Sequence, residues 1–164
     1  MDFTKFVINN DLTIYIVLGF FCILVIVYLN YRIHKMVLET VNTLKDGAAE
    51  ISAKYFLRVR RYKQGRKIIM NQYDFEGVFI LHNITKDKYY IGKSKNVLKR
   101  LGQILIGSGN EEIRNDFNQG NEIAIKATSL NACGCKTASE LEEKMLKDYS
   151  DDTIWYNKRK KSLL

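Results

Sequence analysis

Hydrophobic and polar positions along this chain follow three different rules. From Leu12 to Leu29 no residue is charged and almost every one is apolar. From Ile33 to Ile51 the apolar residues Ile33, Met36, Val37, Val41, Leu44, Ala48 and Ile51 recur mostly at three- and four-residue steps, the spacing of one helix face. From Gly77 onward short apolar runs are punctuated by turn residues. There the pattern predicts strands over Gly77–His82, Lys88–Ile91 and Glu122–Ser129, and helices over Lys95–Ile106, Glu111–Asn118 and Thr137–Tyr149. Asn83-Ile84-Thr85-Lys86-Asp87-Lys88 joins the first two strands, and Gly107-Ser108-Gly109-Asn110 breaks the helices apart. Thr137 followed three residues later by Glu140 opens the last helix as a capping box does. The expected fold is α+β, with a small three-stranded antiparallel sheet flanked by helices.

The 18 residues Leu12–Leu29, as a helix, span about 27 Å, close to the thickness of a hydrocarbon core. The run is apolar on every side, which separates it from an amphipathic surface helix. Tyr15 near one end and Tyr28 and Tyr31 at the other suit the two interfaces. A buried core helix is the first alternative, but the remaining chain is small for wrapping one. A cleaved signal peptide is the second. Against it, Asp2, Asp11 and Lys5 precede the run, and Asn30-Tyr31-Arg32 follows it without a small-x-small cleavage site. The expectation is a single-pass transmembrane helix. Arg32, Lys35 and further cations follow it and only Lys5 precedes it, so the N-terminus is expected outside and the C-terminal domain in the cytoplasm.

Three segments follow: 1–30 with the span, a helical basic connector over 31–75, and a domain over 76–164. Of the formal net charge of +8, the connector carries +6, with ten Lys/Arg against four Asp/Glu. Gly47, the one glycine between Gly19 and Gly65, predicts a break in a helix otherwise expected over 31–64. Arg58, Arg60, Arg61 and Lys63 lie beside Tyr55, Phe56 and Tyr62. Cations neutralise phosphates and aromatic rings stack on bases, which suits nucleic acid; an anionic lipid surface is an equal reading. The apolar positions of 33–51 also allow self-association of the connector. Cys133-Gly134-Cys135 without a second ligand pair is a weak zinc signal. His34 and His82 are isolated.

The domain carries one ordered constellation. Gly77-Val78-Phe79 is separated by ten residues from Tyr90-Ile91-Gly92. Arg100 follows Gly92 by eight residues, and Asn157 follows Glu142 by fifteen. This order resembles the GIY-YIG nuclease family from Gly77 to about Lys160. The resemblance implies that fold and an endonuclease that hydrolyses DNA phosphodiester bonds. It implies Tyr90 orienting or deprotonating the attacking water, Arg100 on the scissile phosphate, Glu142 as the ligand of one Mg²⁺ (or Mn²⁺), and Asn157 supporting the site. Gly92 is expected to let the strand end approach the next helix, with Lys93 and Ser94 as substrate contacts beside Arg58, Arg60 and Arg61. Chemistry alone does not choose among Glu140, Glu142 and Glu143; the spacing to Asn157 does. Phe79 stands where the family name expects a tyrosine, so one hydroxyl is missing. Specificity is expected to be low, with affinity from phosphate contacts. The rival is a catalytically weak membrane tether that binds nucleic acid or a protein partner.

Overall fold

A computed structural model describes residues 3–107, 109–149 and 153–156. The chain divides into two compact units, Met1–Met36 and Val37–Leu164. Helix α1 runs over Phe3–Asp46. It is the one helix among the described residues long and apolar enough to cross a membrane, and none of its most apolar window is buried. Bare apolar surface of that extent has a strongly unfavourable exposure to water.

In the second unit Val37, Val41 and Leu44 are fully buried. Asp46 ends α1, and Gly47 takes φ 65°, which a side chain disfavours. The periodicity predicts helix as far as residue 64. Instead β1 (Ile51–Ser52) and α2 (Ala53–Arg60) follow, then a hairpin of β2 (Lys63–Gln64) and β3 (Lys67–Ile68) and a 3₁₀ turn, Ile69–Tyr73. Next come β4 (Gly77–Asn83), β5 (Lys88–Ser94), α3 (Val97–Ile106), α4 (Glu111–Asn118), β6 (Ile123–Ser129), α5 (Leu130–Cys133), α6 (Ala138–Leu146) and β7 (Ile154–Trp155).

The main sheet has five strands in the order β1-β6-β4-β5-β7, not three. β4 lies antiparallel between β5 and β6, β1 pairs antiparallel with β6, and β7 pairs parallel with β5. The sheet is therefore mixed. The two added strands are two residues long each, too short for an alternation to show in sequence.

Register divides the sheet into two faces, because residues directly opposite share a face. Ile80 opposes Ile91 and Val78 opposes Lys93; Val78, Ile80 and Ile91 pack with Leu141 and Met145 of α6. Phe79 opposes Gly92 and Leu81 opposes Tyr90 on the other face. That face is buried too, and α3 lies against β4 and β5 and α2 against β6. The buried residues of α3, Leu98, Leu101, Ile104 and Leu105, recur at helical steps and seal it.

Candidate functional site

β5 ends in Lys93 and Ser94, and the α6 face brings polar groups to that end. Lys93 Nζ lies 3.2 Å from Glu142 Oε2 and donates to Ser139 Oγ at 3.0 Å. The Glu142 side chain is 19% exposed and that of Lys93 49%. A pair whose lysine is half-exposed to solvent contributes about 0–1 kcal/mol to stability, so folding is a weak reason for its presence. The three glutamates that chemistry alone leaves equivalent occupy different settings. Glu140 is committed to the start of α6: its backbone N–H donates to Thr137 Oγ1, and its carboxylate accepts from the Lys136 backbone N–H. Glu143 is exposed. Glu142 is the one that meets the strand end.

On the opposite face Tyr90 stacks on Phe79, with ring centroids 6.1 Å apart and planes at 29°. The sequence assigns Gly92 to make room for the next helix. The structure gives a different reason: a Cβ there would stand 2.6 Å from the Phe79 ring and 3.0 Å from that of Tyr90. The glycine opens a slot for the two motif rings. Phe79 is fully buried, which suits a ring without a hydroxyl. Tyr90 and Lys93, three residues apart on a regular strand, leave β5 on opposite faces.

Arg100 enters from the first turns of α3, at the edge of that helix's buried face. Asn96 occupies the N-cap position but its side chain caps nothing. Asp74 replaces it from 22 residues upstream: Oδ1 accepts from the backbone N–H of Leu98 at 2.7 Å and Oδ2 from that of Lys99 at 3.0 Å. A carboxylate at a helix start also offsets the positive end of the helix dipole. Asp74 thus fixes the helix that carries Arg100. No local pattern announces this, because the cap is not adjacent in sequence. Ser94 Oγ accepts from the Asn96 N–H at 3.0 Å and shapes the turn into α3.

A second polar cluster closes the turn end of the β4–β5 hairpin. Asn83 and Asp116 are 1% and 3% exposed. Asp116 accepts from Lys86 Nζ at 2.6 Å, Asn83 Nδ2 at 3.1 Å and the Tyr156 hydroxyl at 2.5 Å. Asn83 Nδ2 also donates to the Tyr156 hydroxyl at 2.6 Å. Burial raises the Asp116 carboxyl, but hydrogen bonds from Lys86, Tyr156 and Asn83 and the Lys86 charge bring it below its ordinary value. Burial and the Asp116 hydrogen bond raise the Tyr156 hydroxyl. Asn157 lies outside the described residues. His82 stacks on Tyr89 at 4.1 Å and meets Asp87 at 3.1 Å, a surface role.

The connector cations differ among themselves. Arg58 and Arg61 are exposed and lie over the rings of Tyr55 and Tyr62, at 5.1 and 5.6 Å. Arg60 instead rests its guanidinium on Gly102 of α3, where a Cβ would collide with it. Burial lowers its pKa while Asp74 raises it. Between residues 51 and 73 there are seven Lys/Arg, Lys54 included, and no Asp or Glu.

Residues 75–157, just over half of the chain, match the family model described as the GIY-YIG catalytic domain. No curated protein and no solved structure matches the chain.

Proposed function

We propose, because the chain belongs to the GIY-YIG family, that it is a membrane-anchored endonuclease that hydrolyses DNA on the cytoplasmic side with a divalent metal. The observation that carries the reading is the Lys93–Glu142 contact at the end of the Tyr90-Ile91-Gly92 strand. It brings together a carboxylate and a cation, a pairing that phosphodiester chemistry can use, and it adds little to stability.

The donor set is suited to Mg²⁺ or Mn²⁺. Among the described residues no three His, Cys, Asp or Glu form a cluster. Glu142 would serve as a single carboxylate ligand, and Mg²⁺ is commonly held by one or two carboxylates with waters and substrate phosphate, where a structural zinc would need a full protein cage. When bound, such an ion neutralises charge on the phosphate and lowers the pKa of its water. Glu142 would hold it. Tyr90, on the other face of β5 from Glu142, would have to reach the attacking water round the strand end to orient it through its hydroxyl or take its proton. The fork of Arg100 would meet the charge that develops on the phosphate oxygens. Asn157 would support the site. Lys93 would offer its ammonium to a phosphate, and Gly92 and Ser94 would keep the strand end open to the backbone of the substrate. Arg58 and Arg61, and Arg60 through whatever part of it stays accessible, would bind flanking phosphates or headgroups.

The apolar helix would be retained as a single span. The cations after it favour an outer N-terminus, and the connector could pair two copies. The second reading, a nucleic-acid-binding tether of low activity, is favoured by one observation: the buried Phe79 has no hydroxyl to give. The full chain in detergent, incubated with supercoiled plasmid, separates the two. Nicking with Mg²⁺ or Mn²⁺ and none in chelator is the expected result. Binding without cutting under every metal condition would replace the enzyme with the tether.

A further inference from the structure

A separate pair of nucleophiles sits at the junction of α5 and α6. α5 ends at Cys133, and Gly134, at φ 68°, turns the chain back. Cys135 folds over that turn, its Sγ 4.0 Å from the Cys133 carbonyl oxygen. Both thiols are free and half-buried. Lys144, about two turns into α6, donates from Nζ to Cys133 Sγ at 3.4 Å. Cys133 also lines a cleft of about 280 Å³ whose walls include Ile80, Leu141, Met145, Lys126 and Lys144. The pair lacks a zinc ligand set, since no third ligand joins it among the described residues.

We infer that Cys133 and Cys135 form a reversible dithiol–disulfide site oxidised by hydroperoxides, with Cys133 as the attacking sulfur and Cys135 as the resolving one. Three observations assign the roles. Only Cys133 has a cation on its sulfur, only Cys133 opens to the cleft, and Cys135 lies just past Gly134 on a turn that folds it back. The electrostatics agree with the geometry. The hydrogen bond from Cys135 and the bond and charge of Lys144 bring the Cys133 thiol below its ordinary value, against burial. The same pairing with Cys133, then burial, pushes Cys135 up to about 11.

The chemistry balances in two steps. The Cys133 thiolate attacks a peroxide oxygen; a sulfur–oxygen bond forms, the oxygen–oxygen bond breaks, and the departing alkoxide or hydroxide takes a proton from water or Lys144. Cys133 is oxidised by two electrons to a sulfenic acid and the peroxide is reduced to an alcohol or water. Cys135 then attacks the sulfenic sulfur. The disulfide forms, the sulfur–oxygen bond breaks, and hydroxide leaves with the Cys135 proton as water. A reducing compartment returns the pair to thiols, which is the usual behaviour of cytosolic disulfides. The bridge would close four residues before Thr137 caps the helix that carries Glu142, counted from Cys133.

The test uses the full chain, folded in detergent, in a Cys22→Ser background. Hydrogen peroxide should remove two hydrogen masses from the intact protein, and dithiothreitol should restore them. Adding Cys135→Ser should stop the reaction at a sulfenic acid on Cys133 that dimedone traps. Lys144→Met should slow loss of the Cys133 thiol by roughly threefold, because a thiol with less thiolate reacts more slowly but each thiolate is more nucleophilic. An unchanged mass with both thiols still alkylated would overturn the inference. So would equal dimedone trapping on Cys135 in Cys133→Ser, or an unchanged rate in Lys144→Met.

Discussion

The two ends of the β4–β5 hairpin each carry a polar cluster, about 17 Å apart along β5 between Lys88 and Lys93, and they are built in opposite ways. At the turn end Asp116 is buried and saturated: a lysine, an amide and a phenol all donate to one carboxylate. Tyr156 is tied down by its hydroxyl and by its backbone N–H, which donates to the Tyr89 carbonyl at 2.7 Å. At the other end a half-exposed Lys93 meets Glu142, whose side chain is 19% exposed, with the lysine shared with Ser139. A buried charge must be fully partnered or its desolvation is unrecovered, so the turn end is a fastening. An exposed pair costs little to open and gives little to stability, so the strand end can exchange its partners for a substrate. Burial and saturation, more than residue type, tell the fastening from the chemistry.

The largest effect that sharpens this contrast is Glu142→Gln. It should reduce Mg²⁺-dependent cleavage by about a thousandfold, the upper range for loss of one charge-stabilising group, with melting temperature unchanged. Glu143→Gln, on an exposed position of the same helix, should leave the rate at wild type. Asp116→Ala should do the reverse and cost about 3 kcal/mol of stability by stranding Lys86 and Tyr156; chemical denaturation of the full chain in detergent reads it. The carboxyl of Asp116 has a lower pKa folded than unfolded. Its stabilisation is therefore complete above the unfolded value, about 4, and is lost as pH falls through the folded one. Asp116→Asn should flatten the acid limb of a stability profile below about pH 4.

Arg100→Ala should slow cleavage by about a hundredfold, near 3 kcal/mol of transition-state stabilisation, and Tyr90→Phe, which loses only a hydroxyl, by about tenfold. Single-turnover rates measure both. The smallest effect belongs to the connector. Charge removal at Arg58, Arg61 and Lys63 should lower the slope of log affinity against log salt by about 0.9 for each phosphate no longer neutralised. An unchanged slope would assign those cations to lipid.

Much of the fold is legible in sequence, and unevenly so, while the Asp116 cluster, drawn from three distant segments, is not. The three long strands and the helices α3, α4 and α6 show themselves because seven- to ten-residue elements repeat their period enough times to be counted. Gly47 announces the end of α1 because it meets a backbone angle few other residues take. The β1 and β7 strands do not, each being two residues long and held by the partner strand more than by its own pattern. The helix expected through residue 64 gives way where Ile51–Ser52 completes the edge of β6, a tertiary gain that local propensity does not contain. At the site, motif order points to Tyr90, Arg100 and Glu142. It does not supply Asp74, whose cap acts across 24 residues on Leu98, nor the reason for Gly92, which lies in a ring on the neighbouring strand.

The central claim is that the strand end is the chemistry and the turn end is the fastening. Cleavage per folded molecule of Glu142→Gln and Asp116→Asn, measured side by side with Mg²⁺ below the melting temperature of both, tests it most directly. The account predicts that Glu142→Gln melts as wild type and cuts about a thousandfold more slowly, while Asp116→Asn melts lower and cuts at the wild-type rate. Cleavage retained by Glu142→Gln, or lost by folded Asp116→Asn, would contradict it.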